Sequence, residues 1–304
     1  MNLSQPNLDL YIPDQKPQGE AISRTTHLGI GAHQDDLEFM ALHGILQCFQ
    51  RDNLWFGGIT CTDGAGSSRT GNYANFTDEE MKSIRVQEQK TASSIGQYSF
   101  MAQLGHPSSH AKIPSERTVL IQDIRSIIET ARPEVVYTHN PFDKHATHIG
   151  IMLATLEAIH ELPAESRPNK LFGCEVWRGL DWLPDSEKTI HDVSTHPNLA
   201  ASLNGVFDSQ ITGGKRYDLA VEGRRLANAT FFDSHNVDQI NRVQYALDLS
   251  DLMNGDISLE PYMQKIFDQF HDEIFRAMPE RSTERSESIT SIPRVGQSPS
   301  EDFC

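Results

Sequence analysis

The sequence has few cysteines, and none of them pair at a metal or redox spacing. Cys48, Cys61, Cys174 and Cys304 are widely scattered and no C-x-x-C occurs. This argues against a disulfide framework and against a thiolate zinc site, and leaves structural thiols in a reducing compartment. No run of about 18 apolar residues exists to span a membrane. The opening Met-Asn-Leu-Ser-Gln-Pro lacks the basic start and apolar core of a signal peptide. A cytoplasmic protein is therefore expected. Positive charge is also scarce: 26 Lys and Arg stand against 42 Asp and Glu, a net charge of −16. With no Lys/Arg block, nucleic acid and anionic membrane surfaces are excluded as expected partners. A dinucleotide fingerprint is missing too. The first predicted strand runs into His33-Gln34-Asp35-Asp36, which has no glycine to let a pyrophosphate approach the backbone. The cluster Gly64-Ala65-Gly66 follows the second strand and does not complete the motif.

What is present is a pattern of alternating short apolar runs and helical periodicities. The 304 residues are 38% hydrophobic, enough for a buried core. Strands are predicted at 26–32, 54–61, 98–104 and 134–138, with a further one at 171–178. Helices are predicted at 37–50, 77–95, 115–130 and 148–160. In the second half they are predicted at 198–207, 216–229 and 259–278. Thr77 with Glu80 three residues on is a capping box. Strand–helix alternation with continuous apolar strands predicts an α/β fold: a Rossmann-like, doubly wound, mostly parallel sheet with helices on both faces. Residues 1–25 carry three prolines and read as an extended arm, and 26–279 as a single domain. Residues 280–304, rich in Ser, Arg and Glu, read as a disordered tail.

In such sheets ligands collect beyond the carboxyl ends of the strands. Two polar clusters follow strands there. One is His33-Gln34-Asp35-Asp36; the other runs from His139 to His148, with His145 and Asp143 between. Imidazoles and a carboxylate are the usual ligands of an open catalytic zinc site, which takes three protein groups plus water. His33, Asp36 and His148 supply such a set, with Asp35 beside the water and not ligating. Iron(II) accepts the same ligands. Either cluster alone also fits a solvated loop, and Asp35 or Asp36 fits a helix N-cap. The basic stretch Lys215-Arg216 with Arg224-Arg225 fits either a contact to a substrate anion or a solvated helix face.

At these residues the chain resembles the PIG-L/LmbE-like zinc deacetylases. Ala32-His33-Gln34-Asp35-Asp36 is similar to their A-H-P-D-D signature, and Asp143-x-His145-x-x-His148 to their D-x-H-x-x-H. Weaker likenesses are Thr62-Asp63-Gly64, Arg85-x-x-Glu88 and Ser209-Gln210, over roughly 26–235. The resemblance implies removal of the N-acetyl group from an N-acetylglucosamine conjugate, a small-molecule partner. It implies His33, Asp36 and His148 as ligands of Zn2+, Asp35 as general base and His145 as stabiliser of the tetrahedral intermediate. Gln34 and Leu37 depart from the family pattern. Thr147 stands where an Asp often precedes the ligand histidine, which leaves open what orients His148. Asp143 is expected to hold His145 in its charged form, and Arg69, on the loop after the second strand, to bind substrate. An amidase of larger amides, an iron oxygenase and a sugar-binding protein with a retained metal site are the competing readings. A homo-oligomer is compatible with all of them.

Overall fold

Short apolar runs too hydrophobic to face water on either side form the middle of one sheet. A computed structural model describes residues 3–255 and 257–279. Its eight strands are β1 (Asp9–Tyr11), β2 (His27–Gly31), β3 (Phe56–Thr62) and β4 (Met101–His106), then β5 (Val135–His139), β6 (Lys170–Cys174), β7 (Thr189–Asp192) and β8 (Val243–Asp248). They lie in the order β1-β4-β3-β2-β5-β6-β8-β7. The inner five are parallel; β1 pairs antiparallel with β4 on one edge, and on the other β8 pairs antiparallel with β6, and β7 antiparallel with β8. This is a mixed α/β architecture with a mostly parallel sheet.

Residues alternate between two apolar layers, as the pleat requires. Leu28, Ile30, Ile59, Cys61, Ala102, Leu104 and Val136 enter one layer, under the helices Thr118–Ala131 and Ala146–His160. Phe56, Met101 and Tyr137 enter the other, with Leu37, Leu42, Ile45 and Leu203 from the opposite helices. Fully burying a side chain of this size contributes roughly 1.5–3 kcal/mol, so the two layers anchor every inner strand.

Several expectations change. The segment read as an extended arm supplies edge strand β1 and the helix Gln18–Ser23, whose Ala21 and Ile22 are buried. The helix predicted at 37–50 is two helices, Asp36–Met40 and Leu42–Cys48, broken at Ala41, which leaves helical geometry at φ −109°, ψ 19°. β7 and β8 were not predicted. The Thr77 capping box forms as read, at the start of the helix Asp78–Ile95. The predicted tail at 280–304 lies outside the described residues, and with it Cys304. Among the described residues no helix is long and apolar enough to cross a membrane.

The chain lays down β2, β3 and β4 in one direction, then returns to place β5 and β6 on the other side of β2. The crevice between the carboxyl ends of β2 and β5 is the topological switch point, where open sheets bind ligands. Both polar clusters open into it.

Candidate metal centre

The turn after β2 is tightly closed. Asp35 is held at φ 89°, a conformation rare outside glycine. Its N–H donates to Oε1 of Gln89 at 3.1 Å, and its carboxylate lies 3.4 Å from the Arg85 guanidinium. Neither aspartate caps the following helix: Asp35 makes no capping bond, and Oδ2 of Asp36 accepts the His33 N–H at 2.7 Å. The capping alternative is thus set aside.

The turn after β5 brings His148 onto the same spot. His33 Nδ1 lies 3.2 Å from Asp36 Oδ2 and 3.3 Å from His148 Nε2, and that Nε2 lies 3.5 Å from Asp36 Oδ1. Ligand atoms at about 2.0–2.1 Å from a tetrahedral zinc are separated by about 3.3 Å. Distances of that order suit a divalent metal held by groups drawn from His33, Asp36, His139, His145 and His148. Two further imidazoles adjoin it. His145 and His139 stack on His148 from ring centroids 4.6 and 3.9 Å away. Potential ligand atoms of His33, His145 and His148, and of Asp36, His139 and His148, form overlapping groups within 4.8 Å.

Burial and charge divide these groups. Burial works to raise the Asp36 carboxyl, but the imidazoles of His148 and His139 hold it well below the usual carboxylate range. Burial pushes Asp35 well above that range, against the Arg85 charge and with help from Asp36, Glu38 and Glu88. His33, His139 and His145 are each lowered to about 4, chiefly by burial. Neutral imidazole is the form that ligates a metal.

Asp143 corrects one expectation. Its Oδ2 sits 3.1 Å from Nδ1 of His148 and accepts the Trp177 N–H at 3.3 Å, while Oδ1 accepts the backbone N–H groups of Lys144 and His145. It contacts the His148 ring directly, and its charge also favours the protonated form of His145, but burial outweighs it there. The place left open by Thr147 is thereby filled from five residues upstream.

Arg69 is occupied elsewhere. Its guanidinium donates to the carbonyls of Ala65 and Phe76 and pairs with Asp78. Two partners in its own loop and one at the start of the next helix make it a brace, and no substrate contact is assigned to it. In the basic stretch, Arg225 is buried against the carbonyls of Glu38 and Phe39, Arg224 bonds the Val176 carbonyl, and Arg216 pairs with Asp218. His106 is buried between Asp123 and His110, away from solvent.

The sequence singles out Arg85 and Glu88 as a family likeness but gives Gln89 no role beside Asp35. Arg85, Glu88 and Gln89 are buried on the helix Asp78–Ile95. Arg85 bonds the Gln34 carbonyl, and Gln89 joins Asp35 to Glu38, which also accepts from Tyr98. Glu88 accepts the N–H and hydroxyl of Ser209 at 2.7 and 2.6 Å, not a bond from Arg85. The available signal was their register: 81, 85, 88 and 92 lie on one helix stripe, so two charged residues occupied a face that Met81 and Ala92 mark as buried.

Residues 28–159 match the family model for PIG-L, GlcNAc-PI de-N-acetylase. A search of curated protein sequences finds no match. Among solved structures, N,N'-diacetylchitobiose deacetylase from Pyrococcus horikoshii aligns with a TM-score of 0.59 at 15% identity, over 81% of this chain and 92% of its own. A 4-carboxy-2-hydroxymuconate hydratase from Pseudomonas putida aligns with a TM-score of 0.57 at 17% identity, over 74% and 95%. A conserved protein from Thermus thermophilus gives 0.56 at 20%, over 73% and 93%. At these identities the structures share the fold, and a fold alone does not fix a reaction.

Proposed function

The chain carries a PIG-L family domain over residues 28–159, and from that premise we propose that it is a metal-dependent N-deacetylase acting on an N-acetylglucosamine-type conjugate. The strand order, reversing between β2 and β5, supports the Rossmann-like, doubly wound reading of the parallel core. The observation that carries the functional reading is the mutual 3.2–3.5 Å spacing of His33, Asp36 and His148 with the unligated Asp35 carboxylate beside them.

In this reading His33, Asp36 and His148 hold zinc or iron(II). The ion, when bound, supplies Lewis acidity toward a water and an amide carbonyl. Asp35 takes the proton of the attacking water. Burial pushes its pKa upward, and the same group then returns a proton to the departing amine. Arg85 and Gln89 fix its position. In this reading His145, whose pKa burial lowers to about 4, donates to the developing oxyanion. Removing a donor of this kind typically costs 10²–10³ in kcat, or about 2.7–4 kcal/mol.

The test is release of acetate and free amine from a panel of N-acetylglucosamine conjugates, by apo-protein and after zinc or iron(II) is restored. Metal-dependent release of both products in equal amounts is expected. Amine without acetate would establish the larger-amide amidase instead. Full metal occupancy with no release from any conjugate would overturn the deacetylase.

A further inference from the structure

Away from the crevice, three titratable groups stand in line at the carboxyl end of β4. Asp123 Oδ2 lies 2.9 Å from Nε2 of His106, and Nδ1 of His106 lies 2.8 Å from Nδ1 of His110. His106 ends the strand and is sealed from solvent. His110 is half-buried on the short helix Ser109–Lys112, four residues further along the chain. Neither ring belongs to the groups gathered around His33 and His148. β4 lies two strands from β2, on the order of 10 Å across the sheet.

The carboxylate decides which atom of His106 is free. Asp123 also accepts the N–H and the hydroxyl of Ser4, at 2.9 and 2.6 Å. It is thus held as an acceptor and takes the Nε2 proton of His106. Nδ1 then carries the ring's lone pair, and it faces the second imidazole. Asp143 stands behind His148 in the same way; a carboxylate so placed sets the tautomer of a histidine and raises its basicity as a ligand. Burial and the adjoining His106 ring lower the pKa of His110, against the Glu116 carboxylate, and neutral imidazole is the form that ligates a metal. The single proton of a neutral imidazole sits on either nitrogen. Moving it to Nε2 of His110 leaves two Nδ1 lone pairs turned toward one point, with no proton lost.

The spacing selects the ion. Two nitrogens at about 2.0 Å from a metal are about 2.8 Å apart at a right angle, and about 3.3 Å apart in a tetrahedron. The His106–His110 distance is the first of these, while the 3.2–3.5 Å among His33, Asp36 and His148 is near the second. A right-angled imidazole pair suits a tetragonal ion. We propose that His106 and His110, backed by Asp123, form a second metal site, selective for Cu(II) and weaker for Ni(II), with water completing the coordination. The ion enters from the His110 side, the open one. This site owes nothing to the reaction proposed for the first centre.

The experiment titrates Cu(II) into the metal-free full chain, followed by calorimetry and by electron paramagnetic resonance. Wild type, His110→Ala and His33→Ala/His148→Ala are compared. Wild type is expected to bind Cu(II) in two classes. His110→Ala keeps one class and weakens the other by more than about tenfold. The His33/His148 variant does the reverse, and the class it retains shows coupling to two imidazole nitrogens. Ni(II) follows the same pattern at lower affinity. An unchanged unfolding midpoint of metal-free His110→Ala shows that it is folded; should that midpoint fall, His110→Gln replaces it. A single class in wild type would overturn the proposal. So would a second class that persists at full affinity in the His110 variant, since that copper then sits on other histidines. Because the readout is binding, a failure here leaves the deacetylase reading untouched, and the absence of any hydrolysis leaves this site untouched.

Discussion

Asp143 and His148 are joined at 3.1 Å through Oδ2 and Nδ1, both side chains sealed from solvent. The bond fixes the ring so that Nε2, the other nitrogen, faces His33 and Asp36. A carboxylate behind a ligand histidine raises its basicity and sets its tautomer, and losing one typically costs 10–100-fold in metal affinity or activity. Asp143→Ala is expected to weaken metal binding by about that factor, measured by competition with a chromogenic chelator. Affinity within twofold of wild type would show that Asp143 is only a turn residue.

Asp35 and Arg85 make a second prediction. They lie 3.4 Å apart with side chains 6% and 5% exposed. Removing one member of a buried pair strands the other charge and costs about 3–5 kcal/mol, while replacing both with neutral groups costs less. Arg85→Met is therefore expected to lower stability in urea unfolding by that order, with Asp35→Asn restoring part of the loss in the double variant. Asp35→Asn alone should keep full metal occupancy and lose turnover. If the single variant retains more than a tenth of wild-type kcat, Asp35 is not the base.

The parts of this molecule readable from sequence were those whose signal is local. β2, β3 and β5 are continuous apolar runs because both faces are covered, and the metal cluster follows directly on two of them. Antiparallel β7, Thr-Ile-His-Asp, has no such run, because as an edge strand it meets only one neighbour. β1 is three residues long and was hidden among prolines. The break at Ala41 leaves the apolar spacing of 37–50 intact, so periodicity could not find it. Arg85, Gln89 and Trp177 reach the centre from 34 to 54 residues away in the chain. Only their surroundings define them, and a single sequence carries no record of those surroundings beyond a charge on a buried helix stripe.

Acid sensitivity should come from histidines remote from the metal centre. His43 and His191 stack with centroids 4.0 Å apart, and both nitrogens of His191 are buried without partners. Burial lowers His43 to about 4 and His191 to about 3, from an ordinary 6.5. Between pH 6.5 and those values the unfolded chain binds more protons than the folded one. Stability is therefore full above about pH 6.5 and falls as pH drops toward 4, by about 1–3 kcal/mol per histidine. His191→Phe keeps the flat ring and removes the titration. Its stability between pH 7 and 4.5, followed by urea unfolding, should decline less steeply than wild type. A parallel decline would assign the acid sensitivity to other groups.

Gly150 provides a prediction whose sign opposes helix propensity. It lies within the helix Ala146–His160, two residues after His148, and a Cβ there would overlap the carbonyl oxygen of Ala111 on the neighbouring segment. In an exposed helix, Gly→Ala gains about 1 kcal/mol. Here the obstructing atom is backbone, which cannot rotate away, so the two segments must separate or the helix must shift. Overpacking of this sort typically costs 1–3 kcal/mol. Gly150→Ala is expected to lower Tm, and because His148 rides on the same helix, metal affinity should fall with it. A Tm equal to or above that of wild type would mean that the contact at Ala111 yields freely and that propensity governs the position.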